Sequence, residues 1–345
     1  MRSPNESADH RVSFGPPTHI APLPSAKPKR LSLALQGGGS LGAFTWGVLD
    51  RLLEDDSVGF DTISGASAGS INAVLLASGL ADGGRPEARR RLERFWHRMS
   101  HAARRASLVK TGLSLDISTR ILSPYQFNPF DLNPLRDILS EEVDFKSLQA
   151  SPIRLLVAAT RVRDGALRIF RNRGLTLEAV LASACLPLLH HAVSVDGEPY
   201  WDGGYAANPP LTQLVQASRS SEVIVVQIIP TARAELPTTS PEIVKRLEQI
   251  TFNGPLHRDL EALAAMKRLS EGEGGPTSRL GRKLQNLRLH HVNAEDHVEG
   301  YGELSAMDLD WSLLESLRDS GRLAAEAFLE SRAQSARNSA MRLPA

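Results

Sequence analysis

One five-residue segment constrains this chain more than any other. Residues 65–69 read Gly-Ala-Ser-Ala-Gly, after a strand-like stretch at 60–64 and before an apolar stretch at 71–77 that predicts a helix. Glycine and alanine around Ser67 let a strand and a helix meet at a sharp, strained turn. The pattern predicts a strand–turn–helix unit that pushes the hydroxyl of Ser67 into the open, as serine hydrolases require.

The rest of the chain alternates between strand and helix signals. Short apolar runs predict strands at 31–35, 153–159, 167–171, 223–229 and 287–292. Helical spacing of apolar residues predicts a helix that carries Phe44, Val48, Leu49 and Leu52. It also predicts helices at 85–105, 176–186, 240–269 with an interruption at 253–255, and 311–329. Because several strands are apolar without interruption, we expect an α/β fold with a mainly parallel sheet covered on both faces.

Composition narrows the function class and the location. The net charge of +1 gives no reason to expect nucleic-acid binding. Cys185 is the only cysteine, which excludes an internal disulfide and a cysteine-based metal site. Because the chain has no long apolar run and no signal-like core near residue 1, we expect a cytoplasmic protein. Peripheral contact with a membrane or with a lipid or polymer granule is compatible with this expectation.

The chain divides into three parts by composition. Residues 1–29 are rich in proline and small polar residues and predict a disordered arm. Residues 30–230 hold the strand–helix alternation and predict the catalytic domain. Residues 231–335 are mostly helical in pattern and predict an extension packed on that domain. The proline-broken stretch at 106–136 predicts an irregular cap, either a lid over the site or simple packing.

A glycine-rich loop offers a second chemical feature. Gly37, Gly38 and Gly39 follow the first predicted strand and open a helix, so their backbone N–H groups can point the same way. Such groups suit either the oxyanion of an acyl-transfer reaction or a phosphate. The spacing of Gly37, Gly39 and Gly42, with Asp61 downstream, also fits a dinucleotide-binding fingerprint, but that interpretation leaves the segment around Ser67 unexplained.

A serine nucleophile needs a base, and two kinds of candidate exist. His290, His291 and His297 would complete a Ser–Asp–His order, but none has a distinctive local context. Asp202 follows a predicted hairpin with its turn at 196–197, and two glycines after it let the backbone pass close to another segment. An ordinary Asp-Gly turn is the simpler interpretation of that segment when it is taken alone.

Three motifs together resemble the patatin-like phospholipase family. The loop at 37–42 is similar to its oxyanion loop, residues 65–69 to its nucleophile elbow, and residues 202–204 to its Asp-Gly-Gly motif. The segments 182–187 and 208–210 are similar to the family's small-residue segment and its Asn-Pro segment. The matches stand in family order and cover roughly residues 30–230, so the combination is highly specific.

The resemblance implies a fold and a set of site residues. The fold would be a three-layer α/β/α sandwich with a mainly parallel central sheet. Ser67 would be the nucleophile and Asp202 the base of a catalytic dyad, with no metal or cofactor needed. The oxyanion hole would be formed by Gly37, Gly38, Gly39 and Ala68, where the N–H groups of Gly38, Gly39 and Ala68 are the donors. Motif support comes from four further glycines: Gly65, Gly69, Gly203 and Gly204.

The expected function is hydrolysis of a lipid or related acyl ester through an acyl-enzyme, as in a phospholipase A. Many family members carry a cation where this chain has Leu41, so phospholipids and neutral esters both stay open. A polyhydroxyalkanoate-type depolymerase or an acyltransferase could use the same dyad, and a binding module without activity is the alternative outside enzymes. The helix at 85–105 carries eight arginines that suit either an anionic membrane or a solvated face over a core stripe.

Overall fold

The computed structural model describes residues 29–109, 123–232, 235–270 and 278–341. The predicted arm at 1–29 lies outside these residues except for Lys29, and so does much of the predicted cap at 106–136. Within the described ranges, no helix is long and apolar enough to cross a membrane.

In the part of the chain that the structure describes, eight strands form one sheet. They are β1 (Lys29–Leu35), β2 (Val58–Gly65), β3 (Arg154–Arg161), β4 (Leu167–Arg171), β5 (Val193–Val195), β6 (Glu198–Asp202), β7 (Glu222–Gln227) and β8 (Arg288–Asn293). The strand order is β5-β6-β3-β2-β1-β7-β8, with β4 paired to β3. The pairs from β3 across to β8 are all parallel, whereas β4, β5 and β6 add antiparallel pairs at one edge. The predicted mainly parallel sheet is confirmed.

Helices cover both faces of the sheet. They are α1 (Gly42–Leu52), α2 (Ala68–Val109), α3 (Pro124–Phe127), α4 (Pro134–Glu142), α5 (Phe145–Gln149), α6 (Leu177–Ser183), α7 (Leu211–Ala217), α8 (Ser240–Ser270), α9 (Arg279–Gln285) and α10 (Trp311–Met341). Helix α2 contains a break, because Gly83 and Gly84 have non-helical backbone angles.

The alternation of strand side chains explains the two apolar cores. On β1, Leu33 and Leu35 face the larger core, which α1, α2 and α10 cover, while Ala34 between them faces the smaller core. The smaller core contains apolar residues of α7, α8 and α9. Successive strand residues point to opposite faces of a sheet, so an unbroken apolar strand is what a doubly covered sheet requires. This arrangement confirms the expected three-layer α/β/α architecture.

The arginine-rich part of α2 is held by ion pairs within the molecule. Arg89 binds Asp50 of α1 at 2.7 Å. Arg94 and Arg98 both contact Glu142 at the end of α4, at 3.0 and 3.1 Å. On the other side of the same helix the apolar stripe is buried in the larger core: Leu92, Phe95 and Trp96. These arginines therefore fix α2 against its neighbouring helices.

The predicted interruption at 253–255 was wrong, because α8 runs from Ser240 to Ser270 with Pro255 inside it. A proline within a helix removes one hydrogen bond and costs about 3 kcal/mol. Tertiary contacts at this point offset that cost. The side chain of Asn253 bonds Gln36 at 2.9 Å and the Pro230 carbonyl at 2.8 Å, and Pro255 is buried.

The chain after residue 230 is part of the same sheet and the same core. Strand β8 pairs with β7 over six residues, from Glu222 opposite Arg288 to Gln227 opposite Asn293. Helix α10 packs on α1 with backbones in close approach, since a Cβ on Gly47 would lie 1.9 Å from the Arg318 carbonyl oxygen. A Cβ on Gly321 would lie 2.1 Å from the carbonyl oxygen of Phe44. The two helices can touch in this way only because glycine stands at both positions.

Candidate active site

Ser67 stands at the carboxyl edge of the sheet, two residues after β2 ends at Gly65. Its φ is +51°, a left-handed conformation that non-glycine residues rarely adopt. The N–H of Ser67 donates to both the carbonyl oxygen and Oγ of Ser183, at 3.0 and 3.1 Å. These hydrogen bonds stabilise the strained conformation. A Cβ on Gly69 would lie 2.1 Å from the carbonyl oxygen of Leu35, so only glycine lets α2 begin this close to β1. The sharp strand–turn–helix predicted from the sequence is present.

The side chain of Ser67 is less open than the sequence pattern suggests, because only 8% of the residue is exposed. The glycine-rich loop lies against it. A Cβ on Gly37 would come within 2.7 Å of the Ser67 Cβ and 2.5 Å of the Ala66 carbonyl oxygen. The first position of the loop must therefore be glycine for the loop to reach the serine.

Strand register brings Asp202 to the same end of the sheet as Ser67. Gly65 pairs with Val157 of β3, and Asp202 at the end of β6 pairs with Ala159, two residues further along β3. Asp202 is completely buried. Its backbone N–H donates to the carbonyl of Cys185 at 2.8 Å, and its carbonyl accepts from Thr160 Oγ1 at 2.7 Å. The backbone of Asp202 is thus fixed on both sides.

The two carboxyl oxygens of Asp202 differ in their hydrogen bonding. Oδ1 accepts from the N–H of Gly204 at 2.7 Å, whereas no donor among the described residues makes a hydrogen bond of normal geometry to Oδ2. Burial disfavours the charged form and raises the pKa of Asp202 to about 7, against the opposing effects of the Gly204 N–H and the Ser67 side chain. A carboxylate with this pKa can accept a proton from a hydroxyl group near neutral pH far better than an ordinary aspartate.

Three backbone N–H groups around Ser67 have no acceptor within the described part of the chain: those of Gly38, Gly39 and Ala68. Ala68 is the first residue of α2, where N–H groups lack partners inside the helix. Gly39 has a φ of +59°, which favours glycine. Free donors beside a strained serine can bind an oxygen that carries developing negative charge.

The N–H of Gly37 is already engaged. It donates to Oδ1 of Asn208 at 2.7 Å, and Nδ2 of Asn208 donates back to the Gly37 carbonyl at 3.2 Å. Nδ2 also reaches the carbonyl of Phe252 on α8, at 3.2 Å. Gly37 therefore belongs to the loop predicted from the sequence, but its N–H orients the loop and is not free for a ligand.

The segment at 305–306 holds the glycine-rich loop through hydrogen bonds to Ser40. The N–H of Ser40 donates to the Ala306 carbonyl at 2.8 Å, and Ser40 Oγ donates to the Ser305 carbonyl at 3.1 Å. A Cβ on Gly39 would lie 2.1 Å from the Ala306 carbonyl oxygen. Sequence reasoning missed this contact, because backbone carbonyls carry no residue-specific signal.

The alternative candidates from the sequence have other partners. Asp61 accepts from the Arg219 N–H at 2.6 Å and from Thr62 Oγ1 at 2.9 Å, which explains it as a structural carboxylate. His290 lies 3.3 Å from Glu222, the first residue of β7 and so at the opposite edge of the sheet from Ser67. His297 packs against the ring of Phe44. Leu41 is buried in the larger core, so its side chain is not available to bind a head group.

Comparison with known proteins decides the family. The sequence model of the patatin-like phospholipase family matches residues 33–215, more than half of the chain. The chain belongs to the patatin-like phospholipase family. The matched region contains the elbow at Ser67, the glycine-rich loop and Asp202 of this patatin-like chain.

Individual relatives of this patatin-like chain are distant. An uncharacterized protein, R571, of Acanthamoeba polyphaga mimivirus is 25% identical over 216 residues, which cover 55% of this chain and 65% of that protein. The crystal structure of VipD from Legionella pneumophila is 15% identical with a TM-score of 0.45, covering 89% of this chain and 67% of VipD. That of the type III effector protein ExoU is 18% identical with a TM-score of 0.27, covering 68% and 53%.

Proposed function

We propose that this chain is a serine hydrolase of lipid acyl esters in which Ser67 is the nucleophile and Asp202 the general base. The observation that carries the proposal is the pairing of a strained serine with a completely buried carboxyl group whose pKa is raised to about 7. Family membership supports the substrate class, since it indicates a lipid-hydrolysing esterase.

In the first half of the reaction, Ser67 Oγ attacks the ester carbonyl carbon and its proton moves to Asp202. The C=O bond opens to a tetrahedral oxyanion. When this intermediate collapses, the ester C–O bond breaks, and the alcohol leaves with the proton from Asp202. Ser67 then carries the acyl group, as in other covalent mechanisms that divide one hard step into two easier ones.

The oxyanion would be bound by the N–H groups of Gly38, Gly39 and Ala68, whose lack of other acceptors in the described residues supports this role. Loss of one such donor typically costs about 3–4 kcal/mol of transition-state stabilisation. Asn208, Ser305 and Ala306 act as positioning residues, because they fix the loop that carries two of the donors.

In the second half, water replaces the alcohol. Asp202 takes a proton from the water, which attacks the acyl carbon, and the same N–H groups bind the second oxyanion. Collapse breaks the bond to Ser67 Oγ, which recovers its proton from Asp202, and the fatty acid leaves. Asp202 thus serves as base and acid in each half, which suits a group whose pKa lies near 7.

Covalent labelling tests this proposal. A fluorophosphonate probe phosphonylates an activated serine, so we expect it to label the native protein and to leave Ser67→Ala unlabelled. Ser70→Ala is the matched control, because Ser70 is a buried serine one turn further along α2 whose Oγ donates to the Ser67 carbonyl. Equal labelling of Ser67→Ala and the native protein would refute the assignment of Ser67.

A further inference from the structure

The first half of α8 ends beside the edge of the sheet where Ser67 and Asp202 lie. Strand β7 ends at Gln227, and α8 is tied to the segment that follows it by Arg246, which donates to the Thr231 carbonyl at 3.1 Å. Phe252 stands beside the site, since a Cβ on Gly204 would lie 2.5 Å from its ring. With a rise of about 1.5 Å per residue, Ile243 is roughly 14 Å along the helix from Phe252. This half of α8 therefore borders the site.

Two opposite sides of α8 are apolar. Toward the protein, α8 buries Leu256 and Leu263 in the smaller core. At about 100° per residue, Ile243, Leu247 and Ile250 fall within about 60° of one another, on the side opposite those core positions. They are 42%, 57% and 53% exposed. We call these three residues the outer stripe; an ordinary surface helix would carry polar residues there.

The outer stripe is confined to the part of α8 beside the site. Beyond Gly254 the same side of the helix carries exposed polar residues instead: Arg258, Glu261 and Arg268. The charged residues that flank the stripe balance in sign, with Glu242 and Glu248 against Lys245 and Arg246. An apolar surface without net charge fits a zwitterionic lipid interface better than an anionic one.

We propose that the outer stripe of α8 is a docking surface for a zwitterionic lipid membrane, which brings the site at Ser67 to its substrate. This inference rests on the proposed function, because a lipid acyl ester must leave an aggregate to reach Ser67. Helix α8 lies outside the residues matched to the family, 33–215. Arg89, Arg94 and Arg98 of α2 are engaged in internal ion pairs, which makes that helix a weaker candidate for lipid contact.

Vesicle binding tests the docking surface. We would measure co-sedimentation with phosphatidylcholine vesicles in the Ser67→Ala background, which keeps the vesicles intact. We expect the further double substitution Leu247→Glu with Ile250→Glu to weaken binding at least tenfold, because both side chains would place a charge in the lipid. Leu269→Glu is the matched control on the same helix: Leu269 is 83% exposed but lies at the far end. It should bind vesicles like its parent.

A second measurement separates docking from chemistry. In the chain with Ser67 intact, the double substitution should leave the turnover of a soluble butyrate ester unchanged within twofold and lower the hydrolysis of phosphatidylcholine vesicles at least tenfold. Equal vesicle binding by the double variant and its parent would overturn docking, even if the butyrate ester is turned over. A dimer of the native chain that the double variant dissociates, with vesicle binding unchanged, would assign the stripe to a second copy and also overturn docking. Stripe-dependent binding without turnover of any ester would support docking and refute the proposed function.

Discussion

At the scale of single residues, the carboxyl group of Asp202 behaves very differently from one in water. Most aspartates are ionised far below neutral pH, whereas complete burial keeps a proton on Asp202 up to about pH 7. The proposed mechanism needs the ionised form in the free enzyme. In that mechanism, the environment of this one carboxyl group sets the pH range of activity.

We expect kcat/KM for a soluble ester to rise with pH and to level off above an apparent pKa of about 7. Below that value Asp202 is protonated and cannot accept the proton of Ser67. The measurement is a pH–rate profile between pH 4.5 and 9 with substrate well below KM. A rising limb centred near pH 4, the ordinary value for an aspartate, would contradict a base whose pKa is raised by burial.

The same burial has a cost in stability. Because the folded pKa of Asp202 is raised, its contribution is fully favourable below the unfolded pKa near 3.8 and is lost as the pH rises through about 7. The difference corresponds to roughly 4 kcal/mol at pH 8. We expect Asp202→Asn, which cannot ionise, to raise the free energy of unfolding at pH 8 by about 2–4 kcal/mol and to have little effect near pH 4.

Urea denaturation at both pH values measures this effect. Asp196→Asn is the control, because Asp196 is an exposed residue of the β5–β6 turn with a φ of +52°, a conformation that asparagine also adopts. Its stability should change by less than about 0.5 kcal/mol. A lower stability of Asp202→Asn at pH 8 would show that the carboxylate is better solvated than its burial indicates.

At the scale of elements, the contact of α1 with α10 joins the first helix of the fold to the last. We expect Gly321→Ala to lower the free energy of unfolding by about 2 kcal/mol or more, because its Cβ would lie 2.1 Å from the Phe44 carbonyl oxygen and would force the helices apart. The higher helix propensity of alanine offsets only about 1 kcal/mol of this loss.

Chemical denaturation of Gly321→Ala and of a control variant separates the effect of the helix contact from the effect of replacing a glycine with alanine. Gly302→Ala is the matched control, since nothing lies within 4 Å of the position that its Cβ would take and Gly302 is exposed. This variant should unfold like the native chain. Equal stability of the two variants would mean that α10 can move away from α1 without loss of packing.

Elements also show how far sequence reasoning reaches. The elbow at Ser67 was predictable, because a strand, a turn and a helix that follow one another leave a local pattern of small residues. The continuity of α8 was not, since it depends on Asn253 bonding Gln36, which is 217 residues away in the chain. Local preference favoured a break at Pro255, and a distant partner outweighed it.

At the scale of the whole molecule, contacts between distant segments also limit what the sequence predicts about the site. The motifs predicted which residues surround Ser67, and the structure brings Asp202 and the glycine-rich loop to it. They did not predict that Asn208 accepts from the N–H of Gly37. Nor did they predict that the carbonyl groups of Ser305 and Ala306 accept hydrogen bonds from Ser40 of the loop. Positions on a family motif leave a signal in the sequence, whereas backbone contacts between distant segments leave none.

The hydrogen bonds from Ser40 to Ser305 and Ala306 also determine when the glycine-rich loop is fixed during synthesis of the chain. The hydroxyl bond spans 265 residues, so the bonds to Ser40 cannot form until residues 305 and 306 have left the ribosome. Strand β8 and helix α10 are completed later than every strand that carries a site residue. In the proposed mechanism, a nascent chain would therefore present Ser67 long before residues 305 and 306 fix the loop that carries two of the proposed oxyanion donors.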